Sequence, residues 1–377
     1  TMWNLMNSSK MQPIGLDIGH SAIKMIQLCR AGQTIRVVAA RDAVIDPGLS
    51  RDPAARREFI VSSIRQMLSR ADFSGRRVVS CLPGDVLKIK SLRLDTDNPD
   101  EIEQFMRTEV ASRFGLKPDV DELRYMVAGT VFQGDQMKNE VIFFGVERDA
   151  LADHLAMLEE ARLEPVTLDT VPSALFRSFQ LSLRRREDKD LVSVLVDLGC
   201  RYTTVIIGKG HQILFIKQIP IAGEHLTEEV AGRLGIRLEE AAMLRSRLRY
   251  PESADVEPET IHAVTDAMNN AVETLSREIA LCFKYYAVTF RGQRPAEAVF
   301  AGGEAYESTL MNALRRHLGL QIRIAEPLRG FDLKQVGLDR RSNPQLCEWA
   351  VAVGLAMRGL DVSDRLTQQE EVFQETV

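Results

Sequence analysis

Two acidic residues, Asp17 and Asp197, stand 180 positions apart, and each is followed two residues later by a glycine, Gly19 or Gly199. A glycine in a tight hairpin lets backbone N–H groups approach an anion closely, because no Cβ intervenes. A nearby carboxylate can hold Mg²⁺ through its water ligands, since magnesium keeps most of its hydration. Two such turns that face each other across a cleft would therefore hold a phosphate chain and a hydrated magnesium ion.

A third pattern of this kind lies further along the chain. The stretch "VFAGGEA" (299–305) predicts a strand that runs into Gly302 and Gly303, and "STLMNALRRHL" then predicts a helix. Backbone amides at the start of a helix suit an anion. A single Asp-x-Gly is common in plain hairpins. Two copies in matching contexts, with a Gly-Gly turn downstream, favour a ligand site.

The elements that must position these turns also occur twice. Apolar residues alternate around both turns, as in half-buried strands. Residues 14–45 predict three strands joined by two turns, and "VSVLVDLG", "YTTVIIGKG" and "HQILFIKQIPI" repeat that order. A helical period follows each copy, at residues 54–68 and from Thr227 onward. This internal repeat predicts two related lobes that face each other.

Each lobe carries an addition that the other lacks. After the first copy, "VVSCLPGDVLKIKSLRLD" predicts strands around a Pro-Gly turn, and "NPDEIEQFMRTEVASRFG" predicts a helix that Asn98 caps and Gly115 ends. Two further strands and a helix over 149–163 complete an α+β insert. The second lobe instead carries a mostly helical excursion from Gly223 to about Arg291, whose long last helix has a continuous apolar stripe.

Composition narrows the classes of function. A chain of 377 residues suits two or more domains, and its net charge of −5 argues against a nucleic-acid partner. No apolar run reaches the 18 residues of a spanning helix, and "TMWNLMNSSK" lacks the apolar stretch of a signal peptide. The five cysteines are scattered without a C-x-x-C pair, which argues against a zinc site and for a reducing compartment. We expect a cytoplasmic protein that does not insert into a membrane directly.

The three glycine patterns, in this order, resemble the phosphate 1, phosphate 2 and adenosine motifs of the actin-like ATPase superfamily, which includes actin, sugar kinases, Hsp70-type chaperones and FtsA. Within it the chain resembles the PilM family, the cytoplasmic component of the type IV pilus assembly platform, over about residues 12–360. The insert resembles a domain that PilM and FtsA share. The segments that carry the resemblance are "GLDIGHSAIKMIQL", "LPGDVLKIKSLRL", "EIEQFMRTEVASRFG", "LDTVPSALFRSF", "VDLGCRYTTVII", "KQIPIAGEHLTEEV", "AVFAGGEAYESTL" and "AVAVGLAMRGL".

The resemblance implies an α/β fold, actin-like (RNase H-like), of two lobes with an FtsA/PilM-type inserted subdomain. The implied first lobe (1A) is 12–82, 163–190 and 345–362; the insert (1C) is 83–162; the second lobe is 191–222 and 295–344 (2A) with the helical subdomain 223–294 (2B). The Ala/Gly-rich helix at 347–359 would cross back onto the first lobe and pack closely through its small residues. The acidic segment after Asp361 lacks the basic and apolar faces of the membrane-surface helix that ends FtsA relatives.

The same resemblance implies ATP and Mg²⁺ as cofactors. The implied cofactor-binding residues are Asp17, Gly19, His20, Ser21, Lys24, Asp197, Gly199, Arg201, Thr203, Arg245, Gly302 and Gly303, with Asp17 and Asp197 holding magnesium through water. Some positions depart from the family pattern. Glu304 stands where a small residue usually follows Gly-Gly, Ala242 replaces an acid, and Arg245 replaces a lysine. Arg201 either pairs with phosphate or covers its hairpin, and His20 is interpreted as a surface residue of its hairpin. These departures leave nucleotide binding open.

The implied function is that of a scaffold or adaptor in the inner-membrane platform of a type IV pilus or type II secretion-like system. Its implied partner is the cytoplasmic tail of a PilN-like membrane protein, which would recruit it to the inner membrane; other platform proteins are further partners. The tail would bind in a groove between the first lobe and the insert, with walls from 82–94 and the start of the helix at 99–114. Alternatively, Val86, Leu87, Ile89, Leu92 and Leu94 form only the insert's own sheet.

Other functions of the superfamily stay open. Hydrolysis needs a group that orients the attacking water, and Glu109, which matches a frequent acid of the family, lies on the amphipathic helix of the insert. We therefore expect at most a slow ATPase. The alternatives are a self-associating, FtsA-like filament protein and a sugar kinase with the same fold.

Overall fold

The computed structural model describes residues 10–32, 34–70, 73–133, 136–181, 190–249, 256–292, 295–338 and 345–360. The expectations for the first nine residues and for the acidic segment after residue 360 lie outside these ranges. Within them, no helix is long and apolar enough to cross a bilayer.

The first lobe is built on a six-stranded sheet. Its strands are β1 (Lys10–Met11), β2 (Ile14–Ile18), β3 (Ala22–Ala31), β4 (Thr34–Val44), β5 (Arg77–Cys81) and β9 (Glu164–Asp169). They run in the order β4-β3-β2-β5-β9, with β1 beside the far end of β3. Strands β2, β3 and β4 are antiparallel, whereas β2, β5 and β9 are parallel. The helix expected at 54–68 is α1 (Pro53–Arg70), which buries its apolar face on this sheet.

The second lobe repeats this plan. Strands β10 (Val192–Leu198), β11 (Thr203–Lys209), β12 (Gln212–Ile219), β13 (Glu297–Ala301) and β14 (Gln321–Ile324) run in the order β12-β11-β10-β13-β14. As in the first lobe, three antiparallel strands are followed by two parallel ones. Helix α9 (Ser308–Leu318) joins the last two strands, as the strand–Gly-Gly–helix pattern predicts. The internal repeat inferred from the sequence is confirmed.

The insert is a separate three-stranded antiparallel sheet with helices. Strands β6 (Lys88–Leu94), β7 (Glu122–Gln133) and β8 (Gln136–Val146) run in the order β6-β8-β7. The predicted helix at 99–114 comprises α2 (Pro99–Phe105), a π-helical turn (Met106–Val110) and α3 (Ala111–Phe114). Asn98 caps it through a hydrogen bond from the Asp100 N–H, and Gly115 ends it at a φ of 66°.

Helices α4 (Arg148–Glu160) and α5 (Val171–Gln180) return the chain from the insert to the first lobe. The helix predicted over 149–163 ends three residues early. Arg162 takes a left-handed φ of 63°, and the Leu163 N–H reaches back to the Leu158 carbonyl, so the chain turns directly into β9.

The helical excursion of the second lobe consists of α6 (Gly223–Leu234), α7 (Leu238–Arg249) and α8 (Pro258–Thr289). The predicted apolar stripe of α8 is buried against α6, α9 and the second sheet; its members include Met268, Leu275, Ile279 and Phe283. The end of α8 also contacts the insert. There the fully buried Glu140 carboxylate accepts hydrogen bonds from Arg93 at 3.3 Å and from the Tyr285 hydroxyl at 2.5 Å.

The C-terminal helix lies on the first lobe, as expected. A 3-10 turn (Cys347–Trp349) leads into α10 (350–360), which packs against β3 and β4. The backbones approach so closely that a Cβ on Gly15 would lie 2.3 Å from the Ala352 carbonyl oxygen. A Cβ on Gly354 would lie 1.8 Å from the Ala174 carbonyl oxygen. Small residues are therefore required on both sides of this contact.

Candidate functional site

The two Asp-x-Gly turns have the same geometry. The Gly19 N–H donates to the Ala22 carbonyl at 2.9 Å, and the Gly199 N–H donates to the Tyr202 carbonyl at 3.1 Å. A Cβ on either glycine would lie about 3 Å from the carbonyl oxygen that closes its turn, 3.0 Å for Gly19 and 2.9 Å for Gly199. Glycine is thus favoured at both positions because the chain turns back tightly.

The turns face each other across a cleft of about 150 Å³ between the lobes. The predicted ligand residues that line it are Asp17, Gly19, His20, Ser21, Lys24, Asp197, Gly199, Arg201, Gly302 and Gly303. Thr203 and Arg245 do not line it. Thr203 is fully buried on the other face of β11 and donates to the Ile221 carbonyl at 2.6 Å, and Arg245 is fully buried behind the cleft.

Asp17 and Asp197 are the central acids of the cleft. Burial raises the pKa of the Asp17 carboxyl, and burial together with the charge of Asp17 raises the pKa of Asp197 to about 7. Lys24 offsets only part of this cost of ionisation, and a hydrated divalent cation would supply further positive charge. The residues present at this end of the cleft therefore fit a magnesium ion with a phosphate chain.

Two arginines around the turns are already engaged by protein atoms. Arg56 on α1 donates to the Gly19 carbonyl at 2.9 Å and the His20 carbonyl at 3.1 Å. Arg201 pairs with Glu224 at 2.8 Å and lies 3.8 Å from Asp85. Arg201 therefore bridges the two sides of the cleft rather than simply covering its own hairpin.

His20 is not the surface residue that the sequence suggested. Its side chain is only 20% exposed, and its Nε2 lies in the cleft 3.9 Å from the Asp85 carboxylate. Burial is the main cause that lowers its pKa, so the imidazole is neutral at pH 7. A histidine in a hairpin gives no sign of such burial, because the opposite wall comes from another part of the chain.

The Gly-Gly end of the cleft differs from the Asp-x-Gly end. Gly302 has a φ of 92°, and a Cβ there would lie 2.3 Å from the Leu198 carbonyl oxygen, so only glycine fits. Glu304, two residues after Gly302, has a buried side chain that forms ion pairs with Arg245 and Arg249. The chain's own side chains thus fill the place where the resemblance puts a nucleoside, and this end does not fit one.

A second cleft, of about 490 Å³, separates the insert from the first lobe. One wall comes from β7 and β8 of the insert, and the opposite wall comes from β9 of the first lobe and from α4. Among its lining residues are Leu82, Leu87, Arg124, Phe144, Leu151, Val166 and Leu168. We call it the insert cleft. The sequence did not indicate β9 or α4 as walls, because only the sheet topology shows that β9 lies at an edge.

The walls expected for the tail groove need correction at this cleft. Leu82 and Leu87 line it, but α2 does not, because Ile102 packs into the core of the insert. Leu92 and Leu94 belong to that same core, which agrees with the alternative that they only build the sheet. The remaining two apolar residues of this stretch, Val86 and Ile89, are partly buried beside Leu82 and Leu87.

Comparison with known protein families gives a match over most of the chain. The family model described as "Type IV pilus assembly protein PilM" matches residues 15–360. The cell division protein FtsA of Bacillus subtilis (strain 168) is 22% identical over 357 residues, which cover 85% of this chain and 80% of that protein. FtsA of Streptococcus pneumoniae serotype 2 is 19% identical over 346 residues, 83% of this chain and 75% of its own length.

Solved structures show the same fold. The PilM-PilN type IV pilus biogenesis complex contains a chain that matches with a TM-score of 0.74 at 23% identity, over 92% of this chain and 98% of that one. The ethanolamine utilization protein EutJ from Carboxydothermus hydrogenoformans matches with a TM-score of 0.54 at 15% identity, over 92% and 89% of the two chains. The architecture is thus the actin-like two-lobe fold with a PilM-type insert.

Proposed function

This chain belongs to the PilM family of type IV pilus assembly proteins, and from that premise we propose that it is a scaffold that binds the cytoplasmic tail of a PilN-like membrane protein in the insert cleft. The tail then recruits it to the inner membrane. The observation that carries the proposal is an open, partly apolar cleft between two sheet edges. The fold relative solved as a PilM-PilN complex supports this choice of partner.

Two strand edges offer backbone pairing to an extended peptide. β9 is the last strand of the first sheet, and β7 is the last strand of the insert sheet. Both contribute residues to the insert cleft. An edge strand presents unpaired N–H and C=O groups, and a peptide that adds to it gains main-chain hydrogen bonds. A disordered tail suits this mode because it can extend along the edge as it binds.

The floor and one wall of the cleft offer apolar contacts for alternate side chains of the peptide. Leu82 and Leu87 are buried at its base, 5% and 7% exposed. Val166 on β9 is 40% exposed, although it is a valine in the middle of a strand. The pairing of β5 with β9 is irregular here: β5 pairs with Pro165 and with Thr167, and the register skips Val166 between them. A side chain of the tail that covers Val166 would bury apolar surface that is now in water.

The first-lobe wall is held rigidly. Asp169 at the end of β9 is buried; it accepts a hydrogen bond from Arg177 on α5 and forms an ion pair with Arg358 on α10, both at 2.9 Å. These bonds tie the wall to two helices of the first lobe. A preformed wall lowers the ordering cost of binding, which falls mainly on the tail.

The test uses the full chain and a fluorescent synthetic peptide with the N-terminal cytoplasmic sequence of the PilN-like protein from the same organism. Fluorescence anisotropy should show saturable binding. Val166→Asp should weaken it at least about tenfold, a loss of about 1.4 kcal/mol, because a charge then faces the bound apolar side chains. The matched control is Val44→Asp, at a valine that is 74% exposed on β4, the opposite edge strand of the same sheet.

Binding by Val166→Asp as tight as by the unaltered protein would contradict this location of the tail site. The absence of tail binding altogether, together with ATP-dependent sedimentation, would favour the FtsA-like filament instead. Consumption of ATP that rises with one sugar in a panel of common sugars would favour the kinase.

A further inference from the structure

Glu304 lies at the nucleoside end of the cleft between the lobes. Its side chain is 8% exposed. It packs on the first residue of α6, so that a Cβ on Gly223 would lie only 2.3 Å from Glu304 Oε1. The carboxylate therefore occupies the space between the Gly302-Gly303 turn and the helical excursion, the region where an entering nucleoside would have to fit.

Two arginines of α7 hold this carboxylate in place. Arg245, which is fully buried, donates to Glu304 at 2.6 Å and to Glu307 at 2.5 Å. Its other terminal nitrogen donates to the Gly223 carbonyl at 2.7 Å and to Thr227 Oγ1 at 3.0 Å. Arg249 donates to the second oxygen of Glu304 at 2.5 Å.

The network joins three elements that would otherwise border a nucleoside: the turn after β13, the start of α6, and α7. It contains two arginines and two carboxylates, so its formal charges cancel. Removal of one member of such a buried, hydrogen-bonded set leaves an uncompensated charge, and this cost opposes its opening. The whole cleft between the lobes, with the Asp17 and Asp197 end included, has a volume of about 150 Å³, below the roughly 300–1,000 Å³ of typical small-molecule sites.

We infer that the Arg245–Glu304–Glu307–Arg249 network closes the nucleoside end of the cleft from inside, so that this chain does not distinguish ATP from tripolyphosphate. The Asp17 and Asp197 end stays available to a magnesium-bound phosphate chain, but adenosine adds nothing to binding. This inference does not depend on the tail site, because the insert cleft shares none of the four network residues.

The test compares the melting temperatures of the full chain with equal millimolar concentrations of Mg-ATP and Mg-tripolyphosphate, by differential scanning fluorimetry. A ligand selective for the native state raises the melting temperature according to its affinity. For the unaltered protein the two shifts should be equal and above zero; no shift with either ligand would overturn the part of the inference that keeps the phosphate end available. A clearly larger shift with Mg-ATP would overturn the inference, and this comparison needs no variant.

Glu304→Ala then tests whether the network is the cause. It opens space at Gly223 while Arg245 keeps its bond to Glu307, and it should give a larger shift with Mg-ATP than with Mg-tripolyphosphate. Glu304→Gln, which keeps the side-chain volume, should behave like the unaltered protein. A folded Glu304→Ala protein that still treats the two ligands alike would show that something else excludes the nucleoside. Tail binding should be the same in all three proteins, so failure here is distinct from failure of the proposed function.

Discussion

The two lobes share one strand order but complete it in opposite ways. In the first lobe, the insert leaves an open cleft of about 490 Å³ beside the sheet edge β9. In the second lobe, the helical excursion packs tightly on the sheet, and a buried ion-pair network fills the remaining space near the Gly302-Gly303 turn. The insertion of the first lobe thus leaves an accessible cleft, whereas the insertion of the second lobe forms a closed contact.

The anchoring of the two Asp-x-Gly turns shows the same contrast. The first turn is held by a partly exposed side chain, Arg56, which donates to two carbonyl oxygens. The second is held by backbone groups at the start of α6, where the Gly223 N–H donates to the Gly199 carbonyl at 3.1 Å. Behind Gly223 lies the fully buried Arg245. The turn of the second lobe therefore depends more on buried polar contacts than the turn of the first.

The largest expected effect is at Arg245. Arg245→Ala leaves the buried Glu304 and Glu307 with only Arg249 to offset two negative charges, and it should lower the free energy of unfolding by about 3–5 kcal/mol. Urea denaturation followed by circular dichroism measures this change. The control is Arg247→Ala, on the exposed face of the same helix. If the two variants differed by less than about 1 kcal/mol, within the scatter of ordinary surface substitutions, the contrast between the lobes would fail.

The second effect is a pH dependence that arises where the lobes meet. The pKa of Asp197 is raised from 3.8 to about 7 by burial and by Asp17. Because the folded pKa exceeds the unfolded one, the protonated carboxyl stabilises the fold at low pH, and this contribution falls as pH rises from about 4 to about 7. Asp197→Asn should remove that fall and be more stable than the unaltered protein at pH 8, by roughly 2–4 kcal/mol.

Urea denaturation of both proteins at several pH values between 4 and 8 gives the difference. It should grow through this window and level off only near pH 8, because a carboxyl with a pKa of about 7 is half ionised at pH 7. Asp153→Asn, at an exposed aspartate on α4, should leave the profile unchanged. A difference that does not vary with pH would mean that Asp197 is ionised throughout the range.

The third effect concerns the anchor of the first turn. Arg56→Ala removes two hydrogen bonds from a charged group to carbonyls, but water reaches this side chain and replaces part of the loss. We expect a cost of about 1–2 kcal/mol, smaller than at Arg245. Arg56→Lys should recover some of it, because an ammonium can still donate to one carbonyl. A cost at Arg56 equal to that at Arg245 would remove the difference in anchoring between the lobes.

The regular elements could be predicted because their causes are local. Alternating apolar residues predicted the strands of both lobes. The apolar stripe predicted for the long helix is the buried face of α8. Asn98 and Gly115 marked the ends of the insert helix, since capping depends on residues within one turn. Two similar patterns in one chain also indicated that the second lobe would repeat the first.

The features that the sequence did not show depend on residues far apart in the chain. In the sequence Glu304 was only a departure from the small residue usual after Gly-Gly, and only the fold brings it to Arg245, 59 positions away. His20 lies in the cleft opposite Asp85, and Asp85 comes from a distant segment of the chain. The wall formed by β9 follows from its place at the end of the sheet order, which periodicity alone does not give. Sequence patterns therefore predicted the helices, strands and turns, but not which side chains from different elements contact each other.

The smallest expected effect is on the free energy of unfolding when a residue of the insert cleft is changed. Val166→Asp should change the free energy of unfolding by less than about 0.5 kcal/mol, because the side chain is 40% exposed and lies where β5 passes over it without pairing. A closed contact would respond differently, since a buried charge costs far more than this. Urea denaturation of Val166→Asp and Val44→Asp should therefore give nearly equal values, while only Val166→Asp loses tail binding. A marked loss of stability at Val166 alone would mean that the insert cleft closes in solution, and the first lobe would then resemble the second.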